Sequence, residues 1–253
     1  METENALELT GISKNFGGLK AVDNVSMAVR KGTTHVVIGP NGAGKTTLFA
    51  LISGELEAST GRVKLFGHDV TSWSATRRAR HGMSRTYQIT NIFADLTVEQ
   101  NILLAIRGRH KGRLSLLKKD RPSADMDDTI DELLFRCGLK TRRHSRAGDM
   151  SYGEQRLLEL AIAIGNDPRV LLLDEPAAGL SPAERGPMAD TIRRLSESLT
   201  VVLIEHDMEL ALGLADRVTC LHYGALLAEG TPAEIRANEK VQAVYFGGAG
   251  GNA

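Results

Sequence analysis

Cysteine occurs twice, tryptophan once, aromatic residues make up only 4% of the chain, and 31 basic side chains balance 31 acidic ones. Each shortage excludes something. Cys137 and Cys220 form neither a CxxC pair nor a ligand-spaced cluster, so a disulfide framework and a zinc site are excluded. Two lone cysteines are expected as small buried apolar residues in a reducing compartment. A net charge of zero encodes no general attraction to nucleic acid or anionic lipid, and nucleic acid is disfavoured as the main partner. No apolar run approaches the length of a membrane span. Met1 to Thr10 carries three glutamates and no basic-then-apolar signal pattern, so a cytoplasmic location is expected. The 253 residues suffice for one large domain or one domain with an insertion.

What is present is sharper. Gly39-Pro40-Asn41-Gly42-Ala43-Gly44-Lys45-Thr46-Thr47 satisfies G-x-x-x-x-G-K-[ST], the loop that wraps backbone N–H groups around nucleotide phosphates. The glycines allow positive φ and close approach to an anion, Lys45 can reach the outer phosphates, and the Thr46 hydroxyl can ligate Mg²⁺. Thr34 to Ile38 reads as a buried parallel strand ahead of the loop, and Lys45 to Ser53 as a helix closed by Gly54. The helix dipole then faces the phosphates.

Two more apolar runs, Val170 to Leu173 and Val201 to Ile204, end abruptly in Asp174-Glu175 and Glu205-His206-Asp207. Ligands of open parallel sheets sit at the carboxyl ends of the strands, so the phosphate loop, the two acids Asp174 and Glu175, and the histidine should converge. Asp174 suits a Mg²⁺ contact, and Glu175 is placed to activate water. A histidine after a strand is more often a local hydrogen-bonding residue; the third convergent strand end is what makes His206 a candidate for the γ-phosphate or the water.

Lys45 and Asp174 lie further apart than one βαβ crossover requires, which implies an insertion. It reads as helical. Thr97 with Gln100 makes a capping pair ahead of Asn101 to Ile106, and Ser123 precedes a helix with Ile130, Leu133, Leu134 and Cys137 on one face and Gly138 at its end. The basic, glycine-containing segment Arg107 to Arg121 between them is expected as a solvated loop. Ser151 with Glu154 forms a capping box that leads into a largely buried helix, Arg156 to Ile164, with Gly165 as its stop. An exposed helix N-terminus there is a second anion site, and the spare site suggests a phosphate supplied by another subunit.

These motifs together resemble the nucleotide-binding subunit of an ABC transporter, from about Leu7 to Phe246. Gly39 to Thr46 is similar to Walker A, Gln88 to the glutamine loop, Ser151 to Gln155 to the signature motif, and Val170 to Glu175 to Walker B with its catalytic glutamate. Ala178 to Pro182 is similar to the D-loop and His206 to the switch histidine. The resemblance implies an α/β fold: a P-loop NTPase (RecA-like) core with an N-terminal antiparallel β subdomain and an inserted α-helical subdomain. It places the core at about 7–88 and 166–246, the helical part at about 89–165, and a flexible Gly-rich tail at 247–253.

The resemblance further implies a head-to-tail dimer with MgATP between Walker A of one subunit and the signature residues Ser151, Tyr152, Gly153 and Glu154 of the other. It implies Phe16 stacked on adenine and Gln88 beside Thr46 and Asp174 as a Mg²⁺ ligand; alone, either residue would be ordinary. Two departures stand out. A glutamate, Glu154, holds the usual glutamine place, and as a capping residue it would fold back onto Ser151; Ser181 replaces the D-loop acid and starts another helix with Pro182 and Glu184.

Within the family, Phe16 to Asp23, Ser-Tyr-Gly-Glu-Gln, Asp174 to Leu180, Ile204 to Met208 and Glu229 to Ile235 are most similar to the branched-chain amino acid uptake group. That implies two permease subunits, a second identical or different ATPase subunit, a periplasmic solute-binding protein acting indirectly, and a place on the inner face of the membrane. Urea-type importers and lipopolysaccharide export are the near alternatives. A soluble ABC ATPase acting on nucleic acid fits the charge poorly, and a small-molecule kinase would leave the signature helix and His206 unexplained.

Overall fold

The computed structural model describes residues 4–86, 92–109 and 124–246. Gln88, Ser123, most of the basic segment Arg107 to Arg121 and the 247–253 tail lie outside them. In chain order the elements begin with β1 (Asn5–Phe16), β2 (Leu19–Arg30), β3 (Thr34–Ile38), α1 (Lys45–Ser53), β4 (Thr60–Leu65), β5 (His68–Asp69), α2 (Ala75–Arg80) and β6 (Met83–Arg85). The helices α3 (Val98–Arg109), α4 (Ala124–Arg136) and α5 (Tyr152–Gly165) follow. Then come β7 (Val170–Asp174), α6 (Pro182–Ser196), β8 (Thr200–Ile204), α7 (Met208–Leu214), β9 (Arg217–His222), β10 (Ala225–Gly230), α8 (Pro232–Ala237) and α9 (Glu239–Phe246).

Two sheets result. One is antiparallel, in the order β2-β1-β4-β5; the other runs β10-β9-β3-β8-β7-β6 and is parallel except for β10. The three strands read as buried are neighbours, with β8 between β3 and β7. Their central runs, Val36 to Ile38, Val170 to Leu173 and Val201 to Ile204, are apolar because each faces two cores. Val37, Val170, Leu172, Val202 and Ile204 pack with α1 and the antiparallel sheet, while Val36, Ile38, Leu171, Leu173, Val201 and Leu203 pack with the helices α3 to α7. Alternate residues of one strand point to opposite faces, so a strand buried on both sides loses the polar half of its pattern. Helix α1, seated between the sheets, buries Leu48, Phe49, Leu51 and Ile52 completely or almost so. Each such side chain contributes about 1.5–3 kcal/mol relative to exposure.

The insertion is less uniformly helical than its sequence suggests. Its first part supplies β4 and β5 to the antiparallel sheet and β6 to the parallel one before α3, α4 and α5 form the helical part. The Thr97–Gln100 capping pair is present at the start of α3. Helix α5 ends at Gly165, the residue read as its stop, with Asn166 as the cap; a methyl on Gly165 would meet Ala105 Cβ of α3 at 3.4 Å, an ordinary contact. Arg78 is wholly buried and donates to the carbonyls of Leu51, Ile52, Trp73 and Thr71, tying the end of α1 to α2.

His35 on β3 is buried, with its Nε2 2.7 Å from Thr219 Oγ1. Burial lowers its pKa to about 4, with Glu229 opposing the shift and Arg217 adding to it. The unfolded chain therefore takes up this proton first on acidification. The contribution to stability is complete above about pH 6.5 and is lost as pH falls toward 4, at up to about 1.4 kcal/mol per pH unit. Urea midpoints measured from pH 7 to pH 4.5 should show this loss, and a His35→Gln chain should show a shallower one. Parallel curves for the two chains would remove His35 as the cause.

Candidate active site

The loop between β3 and α1 turns through Gly39 (φ 153°), Gly42 (φ 79°) and Gly44 (φ 96°). A methyl on Gly39 would lie 2.4 Å from the Leu221 carbonyl oxygen, and one on Gly44 2.3 Å from that of Ala21, so both positions need glycine for space. Around Gly42 nothing lies within 4 Å of such a methyl, which leaves the mouth of the cradle open. Pro40, Asn41 and Ala43 complete the turn, with Ala43 N–H donating to Pro40 O at 3.1 Å. Lys45 is buried and donates to the carbonyls of Gly39 at 2.7 Å and Pro40 at 3.1 Å. Burial lowers its pKa, against the pull of Glu175 and Asp174. Thr46 is exposed and Thr47 half-buried at the first turn of α1.

The carboxyl ends of β7 and β8 meet this loop. Asp174 is 2% exposed; its Oδ2 accepts from Arg85 Nη2 at 2.8 Å, and its Oδ1 is buried without a partner among the described residues. Burial raises its pKa, and Arg85 holds it back. An orphaned buried carboxylate oxygen close to the Lys45 loop, which also carries the exposed Thr46 hydroxyl, fits a hard divalent cation with oxygen ligands. Asp174 and Thr46 would hold it; Gln88, the third ligand that the family resemblance implies, lies outside the described residues.

Glu175 takes φ 50°, a left-handed conformation costly for a glutamate, and the surroundings enforce it. Its N–H donates to Ile204 O at 3.0 Å, and its carbonyl accepts from Arg156 Nη2 at 3.2 Å. Its carboxylate makes a short contact with His206 Nε2. The two residues that end separate strands are thus joined. Glu205, buried beneath them, accepts from the backbone N–H of His206 and Asp207 and thereby shapes the turn that carries the imidazole.

Helix α5 begins elsewhere on the same molecule. Ser151 and Tyr152 are exposed and Gly153 is buried. The capping box is complete: Glu154 N–H donates to Ser151 Oγ at 3.2 Å and Ser151 N–H to Glu154 Oε2 at 3.0 Å. Glu154 Oε1 accepts from Arg142 Nε at 2.7 Å, so the Glu154 side chain is engaged inside its own subunit. Phe16, at the end of β1, is 47% exposed with Lys14 Nζ 5.3 Å from the ring centroid. Such an edge suits a flat, electron-rich base.

A phosphate loop, an acid pair and a histidine at adjacent strand ends, together with a separate capped helix start, form a combination that can be compared with known proteins. The family model described as ABC transporter matches residues 22–178. The chain belongs to the ABC transporter ATP-binding family. A second family model, described as branched-chain amino acid ATP-binding cassette transporter, matches residues 225–250. Two curated relatives carry the name high-affinity branched-chain amino acid transport ATP-binding protein. LivG of Salmonella typhimurium is 38% identical and BraF of Pseudomonas aeruginosa 36% identical, each alignment covering 95% of this chain and 97% of the relative. A crystal structure of an ATP-binding cassette of an ABC transporter in its ADP conformation superposes with a TM-score of 0.85 at 30% identity, covering 97% of this chain and all of that one.

As an ABC ATPase, the chain has the expected fold, with the P-loop core, the antiparallel sheet and the helical part all present. Sequence reasoning missed what Arg85, Arg156, Glu184 and Glu205 bind. Arg85 stands 89 residues before the aspartate it pairs with and carries no local signal.

Proposed function

We propose that this ABC ATPase is the ATP-hydrolysing subunit of an importer for branched-chain or other hydrophobic amino acids. It would bind MgATP at a dimer interface and move two membrane permease subunits from the cytoplasmic face, with a periplasmic protein delivering the solute. The observation that carries the reading of the site is the junction of Glu175 with His206 beside Lys45, three separate strand ends on one point. The relatives' names and the match over residues 225–250 support the solute class. No helix among the described residues is long and apolar enough to cross a membrane.

In this reading the backbone from Gly39 to Thr47 and the Lys45 ammonium hold the phosphates, while Phe16 stacks on adenine. Mg²⁺, held by Thr46, Asp174 and Gln88, would neutralise charge that develops on the phosphates. Glu175 accepts a proton from the attacking water, and His206, in contact with Glu175, reports the γ-phosphate. Ser151 and Gly153 donate to the nucleotide of a second subunit.

The experiment that tests the function is affinity capture from detergent-solubilised membranes, followed by uptake of radiolabelled leucine and urea in a strain lacking the gene. Co-purification of permease subunits and loss of leucine uptake, restored by the wild-type gene, are the expected results. Intact leucine uptake with loss of urea uptake would overturn the solute class.

A further inference from the structure

A helix start that receives a phosphate from a neighbouring subunit must be free when the subunits meet, and in the single chain it is occupied. Glu184, in the first turn of α6, reaches across to α5. Its Oε1 accepts from Ser151 Oγ at 3.2 Å and from Gly153 N–H at 3.0 Å. Its Oε2 accepts from Ser181 N–H at 3.0 Å and Ser181 Oγ at 2.7 Å. The fit is close: a methyl on Gly153 would come within 2.6 Å of Glu184 Oε1. The first N–H groups of a helix have no partner within it, and a carboxylate is among the anions that satisfy them best.

We propose that Glu184 is an internal anion seated on the signature helix of the resting subunit, an autoinhibitory contact that the partner's γ-phosphate displaces when the dimer closes. This rests on the reading above that Ser151 and Gly153 act on the second subunit's nucleotide. The donors concerned are the same two groups, so carboxylate and phosphate exclude each other.

The contact is charged at any physiological pH. Hydrogen bonds, from the Ser181 hydroxyl first and then from Ser181 and Gly153 N–H, lower the Glu184 pKa to about 2. Protonation therefore does not open the site; a stronger anion does. ADP, which lacks the third phosphate, leaves Glu184 in place, so the latch makes closure depend on the γ-phosphate. A separate contact lies nearby in the chain: the Tyr152 ring rests against Gly179, where a methyl would come within 3.2 Å of its Cε1.

The test uses the full chain carrying Glu175→Gln, so that closed dimers persist, and follows dimerisation by light scattering as MgATP is raised. Glu184→Gln keeps an acceptor for Ser181 N–H but removes the charge, and Glu184→Asp keeps charge and cap but shortens the reach. In each, the MgATP concentration at half-dimerisation should fall about five-fold or more, with MgATP affinity of the monomer changed less than about two-fold. A fall in either variant, folded by circular dichroism, supports the latch. An unchanged or higher midpoint in both overturns it. Ser151→Glu separates the two ideas. If it abolishes dimerisation while the Glu184 variants do nothing, the latch alone fails; if it dimerises normally, the trans site fails and the latch with it.

Discussion

Glu175→Gln should lower steady-state phosphate release by about 10²-fold or more, the scale on which a positioned general base contributes. Nucleotide binding should survive. The substitution keeps size and shape, so the φ of 50° and the bonds from Ile204 and Arg156 that enforce it need not change. What disappears is a carboxylate able to accept a proton, at the one position where the end of β7 touches His206. With hydrolysis slowed and binding retained, closed ATP-bound dimers should accumulate and be visible by light scattering. Phosphate release within about two-fold of wild type would remove Glu175 from this role.

Lys45→Ala acts on binding instead, and MgATP affinity should weaken by about 10²-fold, since charge-assisted hydrogen bonds to phosphate are among the strong ones. The free fold should tolerate the change. Burial already disfavours the Lys45 charge, and of the two carbonyls it serves, Pro40 O retains a bond from Ala43 N–H. Titration calorimetry should therefore show weak binding by a chain whose Tm is close to that of wild type. Strong binding would mean that the backbone cradle suffices; a collapsed Tm would mean that Lys45 is structural.

The parts of the site legible in the sequence share one property: they follow directly from a change of pattern along the chain. Two apolar runs that stop at charged residues, and a third that stops at a glycine-rich loop, marked the strand ends, and that loop between a strand and a helix marked the ligand. Helix α1 occupies the range read for it, with Gly54 in the left-handed conformation at its end. Residues that act across space were not legible. Glu184 is fully explained, in sequence, by the capping box it makes with Ser181, and only the approach of α6 to α5 gives it a second set of donors. The antiparallel sheet was hard to read for a related reason: β1 carries three register shifts against β2 between Leu9 and Asn15, which break the alternation a strand search relies on.

Arg156 has a consequence for traffic between the two nucleotides of a pair. The helix whose first turn would meet the neighbour's ATP carries, one turn later, the guanidinium that grips the main chain of its own Glu175. In the proposed pair, a pull on that helix from the neighbour would be passed through Arg156 to the main chain of Glu175 in the same polypeptide. Each member would then sense its companion's fuel state along one helix.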